Sequence, residues 1–119
     1  MRDILFRGKR VDNDEWTEGY FFKSWDKVFL LWGMTGDSPN MEEVKPETVG
    51  QYTGLTDKNG KKIFEGDILL KGFEKVLVKW NANQCRWGIY SNNYEICGFN
   101  ESTQGYFEVI GNIYDNTEE

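Results

Sequence analysis

The chain has 119 residues, which predicts a single domain large enough to bury a hydrophobic core. Five Trp, six Tyr and eight Phe accompany thirteen Gly and only two Pro, a composition that favours β-strands joined by tight turns. The formal net charge of −6 argues against non-specific binding to nucleic acid and against an anionic membrane surface. No apolar run approaches the roughly 20 residues that span a bilayer.

The sequence lacks the usual catalytic and metal-binding groups. It contains no histidine, which excludes Ser-His-Asp and Cys-His nucleophiles and ordinary zinc sites with His ligands. Its two cysteines, Cys85 and Cys97, are too few for a Cys₄ site, and no Gly-rich phosphate loop is present. We therefore predict a protein that is not an enzyme and holds no cofactor or metal. An enzyme built on Glu65 and Asp67 is a competing hypothesis, although these carboxylates are more simply explained as turn residues.

Cellular location is predicted from the cysteines and the first residues. Met1 is followed directly by charged residues, so we expect no signal peptide. Cys85 and Cys97 are expected to be reduced, buried and structural, as is usual in the cytoplasm.

Hydrophobic patterns in the first part of the chain predict strands. Residues 4–7 and 16–22, with a turn at 12–14, indicate a hairpin within residues 1–25. The short apolar run of residues 28–32 favours a buried strand. Residues 33–40, GMTGDSPN, are typical of a loop, and Pro46 suits the start of one helical turn.

The segment Asp57-Lys58-Asn59-Gly60 predicts a tight turn between two strands, with two competing geometries. A type I′ turn would centre on Asn59 and Gly60, which tolerate positive φ, but would place Lys58 opposite Lys61. A type I turn with a bulge places Gly60 in the left-handed conformation and Asp57 opposite Lys61. We prefer the second geometry because its cross-strand pair is attractive.

Further strands are predicted after this turn. Residues 65–67 break the chain direction, and residues 68–70 are apolar enough to be buried on both faces. Four short strands with tight turns can curl into a small barrel. The residues expected to face its interior are Val76, Val78, Trp80, Trp87, Ile89, Phe107, Val109, Gly111 and Ile113.

These elements predict an all-β fold within a single domain of residues 1–119. We expect an N-terminal hairpin unit at about residues 1–45, then a small SH3-like β-barrel or roll at about 46–115. At most one or two short helical turns are expected.

Four segments of the chain resemble the YopX family. The central segment QYTGLTDKNGKKIFEGDILL is similar to the signature of that family. The start MRDILFRGKRVDNDEWTEGY, the segment VKPETVGQYTG and the late segment VIGNIYDN resemble its opening, lead-in and closing strands. The resemblance implies a small phage or prophage protein with no assigned biochemical activity.

The predicted function is therefore that of a phage- or prophage-encoded, non-enzymatic binding or assembly module in the cytoplasm of a bacterial host. Expected partners are a second copy of the chain, giving a homo-oligomer, or another phage or host protein, and no membrane. The alternative is a nucleic-acid-binding accessory protein, since Lys79-Trp80 and Arg86-Trp87 interleave basic and aromatic residues. The candidate contact residues are Trp25 and Trp32, beside loops, and Gln51 and Tyr52, which with Thr53 have no obvious structural role.

Overall fold

A computed structural model describes residues 4–100 and 104–115. The fold is mainly β, with two antiparallel sheets, as the sequence predicts. Helical structure in the described residues is limited to two 3₁₀ turns, Pro46–Thr48 and Gln104–Tyr106, and the first of these is the turn expected at Pro46. The chain divides into two compact units, Met1–Tyr52 and Thr53–Glu119. The predicted boundary between its two β units lies near residue 45.

The first unit is an antiparallel meander. Its strands follow the order β4-β3-β2-β1-β5. The strands are β1 Phe6–Lys9, β2 Trp16–Ser24, β3 Lys27–Thr35, β4 Ser38–Val44 and the first half of β5 Gly50–Thr56. The predicted early hairpin is therefore present as β1 and β2; β3 and β4 extend it on one side, and β5 pairs with β1 on the other.

The prediction of a loop at residues 33–40 is wrong. These residues form the end of β3, a tight turn and the start of β4, with Met34 paired to Pro39. Gly36 adopts a φ of +62°, which glycine reaches without steric cost and which allows the chain to reverse within two residues. Pro39 is tolerated because β4 is the last strand of the sheet, where a missing N–H breaks no internal ladder. Turn-forming residues thus mark the apex of a hairpin here.

The core of the first unit lies on one face of its sheet. Val28, Leu30 and Val44 are buried there, and Phe6 packs against them. Gly8 also belongs to this face, because a Cβ at that position would lie only 3.1 Å from Val44. Side chains alternate across a strand, so the intervening residues of β2 and β3 project from the opposite face.

Backbone hydrogen bonds connect the chain after β1 to the end of β4. The Val11 N–H donates to the Glu43 carbonyl at 3.0 Å, and the Lys45 N–H donates to the Lys9 carbonyl at 2.8 Å. These bonds occupy the end of an otherwise outermost strand and limit its capacity to pair with another chain.

The second unit contains the second half of β5, its neighbour β6, and a five-stranded sheet. The sheet follows the order β10-β9-β8-β7-β11. The strands are β6 Lys62–Phe64, β7 Asp67–Lys71, β8 Glu74–Asn81, β9 Arg86–Ser91, β10 Tyr94–Gly98 and β11 Glu108–Asn112. In β7, Leu69 is fully buried on one face, while Ile68 and Leu70 on the other face are half-buried. The prediction that this strand is buried on both faces is therefore correct for one face only.

The core of the second unit is formed by side chains from several strands and loops. It comprises Ile63, Leu69, Val76, Val78, Trp87, Ile89, Phe99 and Phe107. Two residues predicted to face this core do not lie in it. Trp80, near the end of β8, is 45% exposed, and Ile113 is exposed in the turn that follows β11. A register shift between Val109 and Gly111 interrupts the alternation on which the prediction for Ile113 depended.

The turn between β5 and β6 has the bulged geometry preferred from the sequence. The Gly60 N–H donates to the Asp57 carbonyl at 3.0 Å, and the Asp57 N–H donates to the Lys61 carbonyl at 2.8 Å. In this turn Gly60 has a positive φ and Asn59 does not. A type I′ turn needs positive φ at both residues and is therefore excluded.

Candidate interaction surfaces

The outer face of the sheet in the first unit is apolar and exposed. Tyr20 pairs with Leu31, which pairs with Met41, and Phe22 pairs with Phe29. Residues directly opposite each other in antiparallel strands project from the same face, so these five side chains form one surface. We call it the aromatic face. Tyr20 and Phe22 are 64% and 47% exposed, and the Phe22 and Phe29 rings lie 6.3 Å apart.

Charged side chains border the aromatic face at both ends of its strands. At one end the Arg7 guanidinium lies 4.7 Å and the Lys9 ammonium 5.7 Å from the centre of the Trp16 ring. At the other end Glu43 lies opposite Phe29. Glu18 lies opposite Arg7 at the first end, and Lys27 precedes Phe29 by two residues at the far end. The apolar centre is therefore bordered by charges of both signs at each end.

Trp25 is exposed, as its position beside a turn predicts. It occupies the apex of the β2–β3 hairpin and is 93% exposed. Its φ is +57°, a backbone conformation that bulky L-residues rarely adopt. Trp32 is also exposed, at the register shift between Leu31 and Gly33.

The other two candidate residues have roles inside the first unit. Gln51 is half-buried and pairs with Phe6, and Tyr52 is buried, with its N–H donating to the Leu5 carbonyl at 2.7 Å. Thr53, at the start of the second unit, has a structural role that the sequence did not reveal. Its buried hydroxyl donates to the Ile63 carbonyl at 2.8 Å and accepts from the Leu55 N–H at 3.1 Å.

The carboxylates of the second unit bind backbone N–H groups. Asp67 is fully buried, and its Oδ2 accepts a 2.8 Å hydrogen bond from the Phe64 N–H. Asp57 accepts from the N–H groups of Asn59 and Lys61 through Oδ1, and from that of Val109 through Oδ2, at 2.8 to 3.0 Å. These contacts are those of turn-stabilising groups.

The net pKa shift of Asp57 follows from opposing effects. Burial raises the pKa of the Asp57 carboxyl, but three backbone N–H donors and the Lys61 ammonium lower it by more. The resulting pKa lies below the ordinary value for aspartate.

The outer face of the second unit's sheet bears a polar cluster. The Arg86 guanidinium donates to Glu95 at 3.0 Å, and the Asn81 amide donates to the same carboxylate at 2.9 Å. Hydrogen bonding to Arg86 and then to Asn81 lowers the pKa of Glu95. Trp87 is buried, and the centre of its ring lies 5.1 Å from that of Trp80 in an edge-to-face contact. Trp87 therefore offers no ring face on which a base could stack.

Comparison with known families identifies the chain. A family model described as YopX protein matches residues 5–119. The chain belongs to the YopX family. The structure of this YopX-family protein is similar to the crystal structure of protein EF1440 from Enterococcus faecalis, with a TM-score of 0.60 and 23% sequence identity. That similarity covers 99% of this chain and 98% of the other, and it concerns the fold alone. No curated protein matches the sequence.

The thiols of this YopX-family protein are placed differently from the prediction. Cys85 is exposed and Cys97 is half-buried, and both are free. Cys85 lies in the β8–β9 turn with a φ of +53°, which leaves its thiol outside the core.

The described part of this YopX-family protein contains neither a metal-binding cluster nor a membrane-spanning helix. Within residues 4–100 and 104–115 no group of three or more His, Cys, Asp and Glu side chains is arranged to hold a metal ion. Over the same residues no helix has the length and apolar character needed to cross a membrane.

Proposed function

We propose that this YopX-family protein is a non-enzymatic assembly module that binds a second copy of itself through the aromatic face. The observation that carries the proposal is the exposure of Tyr20 and Phe22 beside Phe29, Leu31 and Met41 on one sheet face. Contiguous apolar patches of this kind are uncommon on monomers and mark interaction sites. Aromatic residues and Met are enriched in the cores of protein interfaces.

The charges around the aromatic face permit a second copy as the partner. Arg7 and Glu18 border one end of the face, and Lys27 and Glu43 border the other, so each end carries both signs of charge. A two-fold axis in the plane of the face superimposes the apolar centres of two copies, and neither end carries a single sign of charge that would repel its counterpart. An isologous contact of this kind uses the same patch twice and closes as a dimer.

The net charge sets the expected salt dependence. Two chains of net charge −6 repel each other at long range, whereas the apolar contact is insensitive to screening. Self-association is therefore expected to strengthen as salt is raised.

A phage or prophage origin and a place in the bacterial cytoplasm complete the proposal. The origin is supported by what the YopX resemblance implies, and the location by the two free cysteines. Inspection of the genes on either side and fractionation of the host cell test these two points. A gene set without phage functions, or recovery of the protein outside the cytoplasm, would contradict them.

Self-association is tested by light scattering after size-exclusion chromatography over a wide range of concentrations. The unmodified chain should exceed its 13.9 kDa monomer mass and approach twice that value. A variant with Tyr20→Glu and Phe22→Glu should remain a monomer, because a carboxylate buried between two apolar faces loses its hydration.

The matched control is Tyr94→Glu, which alters an exposed aromatic residue of the second unit. This variant should associate like the unmodified chain. A monomer at every concentration and salt, or equal association of the Tyr20/Phe22 double variant, would refute the proposal.

A further inference from the structure

Two pentapeptides of the chain share one pattern. Residues 23–27 read KSWDK and residues 71–75 read KGFEK, so each has an aromatic residue followed by an acidic one between two lysines. The first lies in the first unit and the second lies in the second unit.

Both pentapeptides form the apex of a hairpin. Pairing of β2 with β3 ends at Ser24 and Lys27, which leaves Trp25 and Asp26 as the turn. Pairing of β7 with β8 ends at residues 71 and 74, which leaves residues 72 and 73 as the turn. Two-residue turns project their side chains away from the sheet, beyond the last cross-strand pair.

The aromatic side chains at the two apices are almost completely exposed. Trp25 is the most exposed aromatic residue among the described residues of the first unit, and Phe73 is the most exposed aromatic residue among those of the second unit. In the β7–β8 turn a glycine, Gly72, takes the positive φ of +62°. In the β2–β3 turn Trp25 itself adopts φ +57°, where glycine would be favoured. Neither core packing nor turn geometry therefore accounts for an aromatic residue at these positions.

The four lysines of the pentapeptides are unpaired. Lys23, Lys27, Lys71 and Lys75 are exposed, and none has an ion pair with another residue in the described part of the chain. Elsewhere basic groups do have carboxylate partners. These pairs are Arg10 with Glu42, Lys45 with Asp14, Lys58 with Glu108 and Arg86 with Glu95. The apices thus present positive charge beside an exposed ring in an otherwise acidic protein.

We propose that the two apices, residues 23–27 and 71–75, are contact points for single-stranded nucleic acid. An exposed ring offers a face on which an unpaired base stacks, and a flanking ammonium group binds the phosphate beside that base. Stacking needs no sequence-specific hydrogen bonds, so the binding is independent of base sequence. The first contact lies at the end of the β2–β3 hairpin, beyond Phe22 and Phe29 of the aromatic face, and neither contact depends on self-association.

The acidic residues of the pentapeptides distinguish this ligand from an anionic bilayer. Asp26 and Glu74 directly follow Trp25 and Phe73. Insertion of either ring into a membrane interface would carry a carboxylate toward the anionic headgroups, which costs free energy. Stacking on a base leaves the carboxylate in solvent. An acidic protein partner would satisfy the lysines but would not require a flat ring at both apices.

The number of lysines sets the expected salt dependence. Each phosphate that a lysine neutralises on a single strand contributes about −0.7 to the slope of log affinity against log salt. Two lysines give a slope near −1.4, and four give a slope near −2.8. Between about 50 and 200 mM salt, affinity should fall roughly sevenfold if one apex binds and roughly fiftyfold if both do.

The test uses fluorescence anisotropy of a labelled oligothymidylate with the full chain. Trp25→Ala and Phe73→Ala should each weaken binding roughly tenfold or more, because each removes a stacking surface. A variant with Lys23→Ala and Lys27→Ala should make the salt slope shallower by about 1.4. Both apices are exposed, so these variants should keep the unmodified circular dichroism spectrum.

Two controls separate the apices from general surface effects. Trp32→Ala removes an exposed Trp that is not flanked by lysines. The double variant with Lys61→Ala and Lys62→Ala removes two exposed lysines. Unlike the lysines of the pentapeptides, these two do not flank an aromatic residue at the apex of a hairpin. The aromatic control should bind like the unmodified chain, and the lysine control should leave the salt slope unchanged.

Several results would overturn the proposal. These are no binding at about 50 mM salt, binding that survives in Trp25→Ala and Phe73→Ala alike, and binding to phosphatidylglycerol vesicles without binding to the oligonucleotide. An uncharged variant, Tyr20→Gln with Phe22→Gln, should lose self-association and still bind the oligonucleotide, so failure of self-association and failure of this proposal are distinguishable.

Discussion

Asp57 connects the β5–β6 turn to the last strand, and its removal should destabilise the second unit. Its carboxylate accepts three backbone hydrogen bonds, from Asn59, Lys61 and Val109, and the residue is 6% exposed. Asp57→Asn keeps one acceptor oxygen for the turn but presents an N–H₂ group to the Val109 N–H. A lost hydrogen bond to a charged group costs about 1.5 to 3 kcal/mol, so we expect about 2 kcal/mol for this variant.

Asp57→Ala removes all three acceptors and should cost more than Asp57→Asn. Water can replace the carboxylate at the exposed residues Asn59 and Lys61 but less easily at half-buried Val109. We therefore expect about 3 kcal/mol, a large share of the roughly 5 to 15 kcal/mol that stabilises a domain. Urea unfolding followed by Trp fluorescence measures both values. Glu74→Gln, at the exposed start of β8 in the same unit, is the control and should change stability by less than about 0.5 kcal/mol.

The lowered pKa of Asp57 adds a pH signature. Because the pKa of the carboxyl is lower in the folded state, its contribution is complete above the unfolded value of about 3.9 and is lost as pH falls through the folded pKa. The stability difference between the unmodified chain and Asp57→Asn should therefore shrink in acid below that range. A difference that is constant from neutral pH to strong acid, or an Asp57→Ala cost below about 0.5 kcal/mol, would refute the assigned role.

Three further predictions concern packing and thiol access. Gly19→Ala should destabilise the first unit by about 3 kcal/mol in urea unfolding, because the added Cβ would lie 2.4 Å from the Leu31 carbonyl oxygen. A change in the free energy of unfolding below about 1 kcal/mol would contradict this close contact. Ile63→Ala should cost about 2 to 5 kcal/mol by the same measurement, because Ile63 is fully buried in the core of the second unit. A near-neutral effect would mean that neighbouring side chains fill the space that the Ile63 side chain leaves. Cys85 should react with a thiol reagent well before Cys97 under native conditions, since Cys85 is exposed and Cys97 is half-buried; equal rates would disagree with this placement.

Local turn chemistry was predictable because it depends on neighbouring residues. Asp57 and Gly60 define the bulged turn through one backbone hydrogen bond and one left-handed residue, and both are visible in the sequence. The 3₁₀ turn at Pro46 follows from the fixed φ of proline in the same way.

Strand continuity and side-chain direction were less predictable. The residues of 33–40 favour turns individually, but pairing with neighbouring strands extends β3 and β4 almost to the apex at Gly36. One extra residue in a strand reverses the face of every residue after it, so the register shift near Val109 invalidated the alternation for Ile113. Trp80 has the expected parity, but its position near the strand end leaves it partly exposed.

The family, the mainly β fold and the tight turns can be predicted from the amino-acid sequence, because they depend on composition and on short runs of adjacent residues. The set of buried apolar residues cannot be predicted in this way and is seen only in the folded chain. Phe29 is half-buried against exposed Phe22 on the outer face, whereas Val28 and Leu30 of the same apolar run lie in the core. Which face of a sheet meets a core depends on contacts between residues distant in the sequence, and no local pattern contains that information.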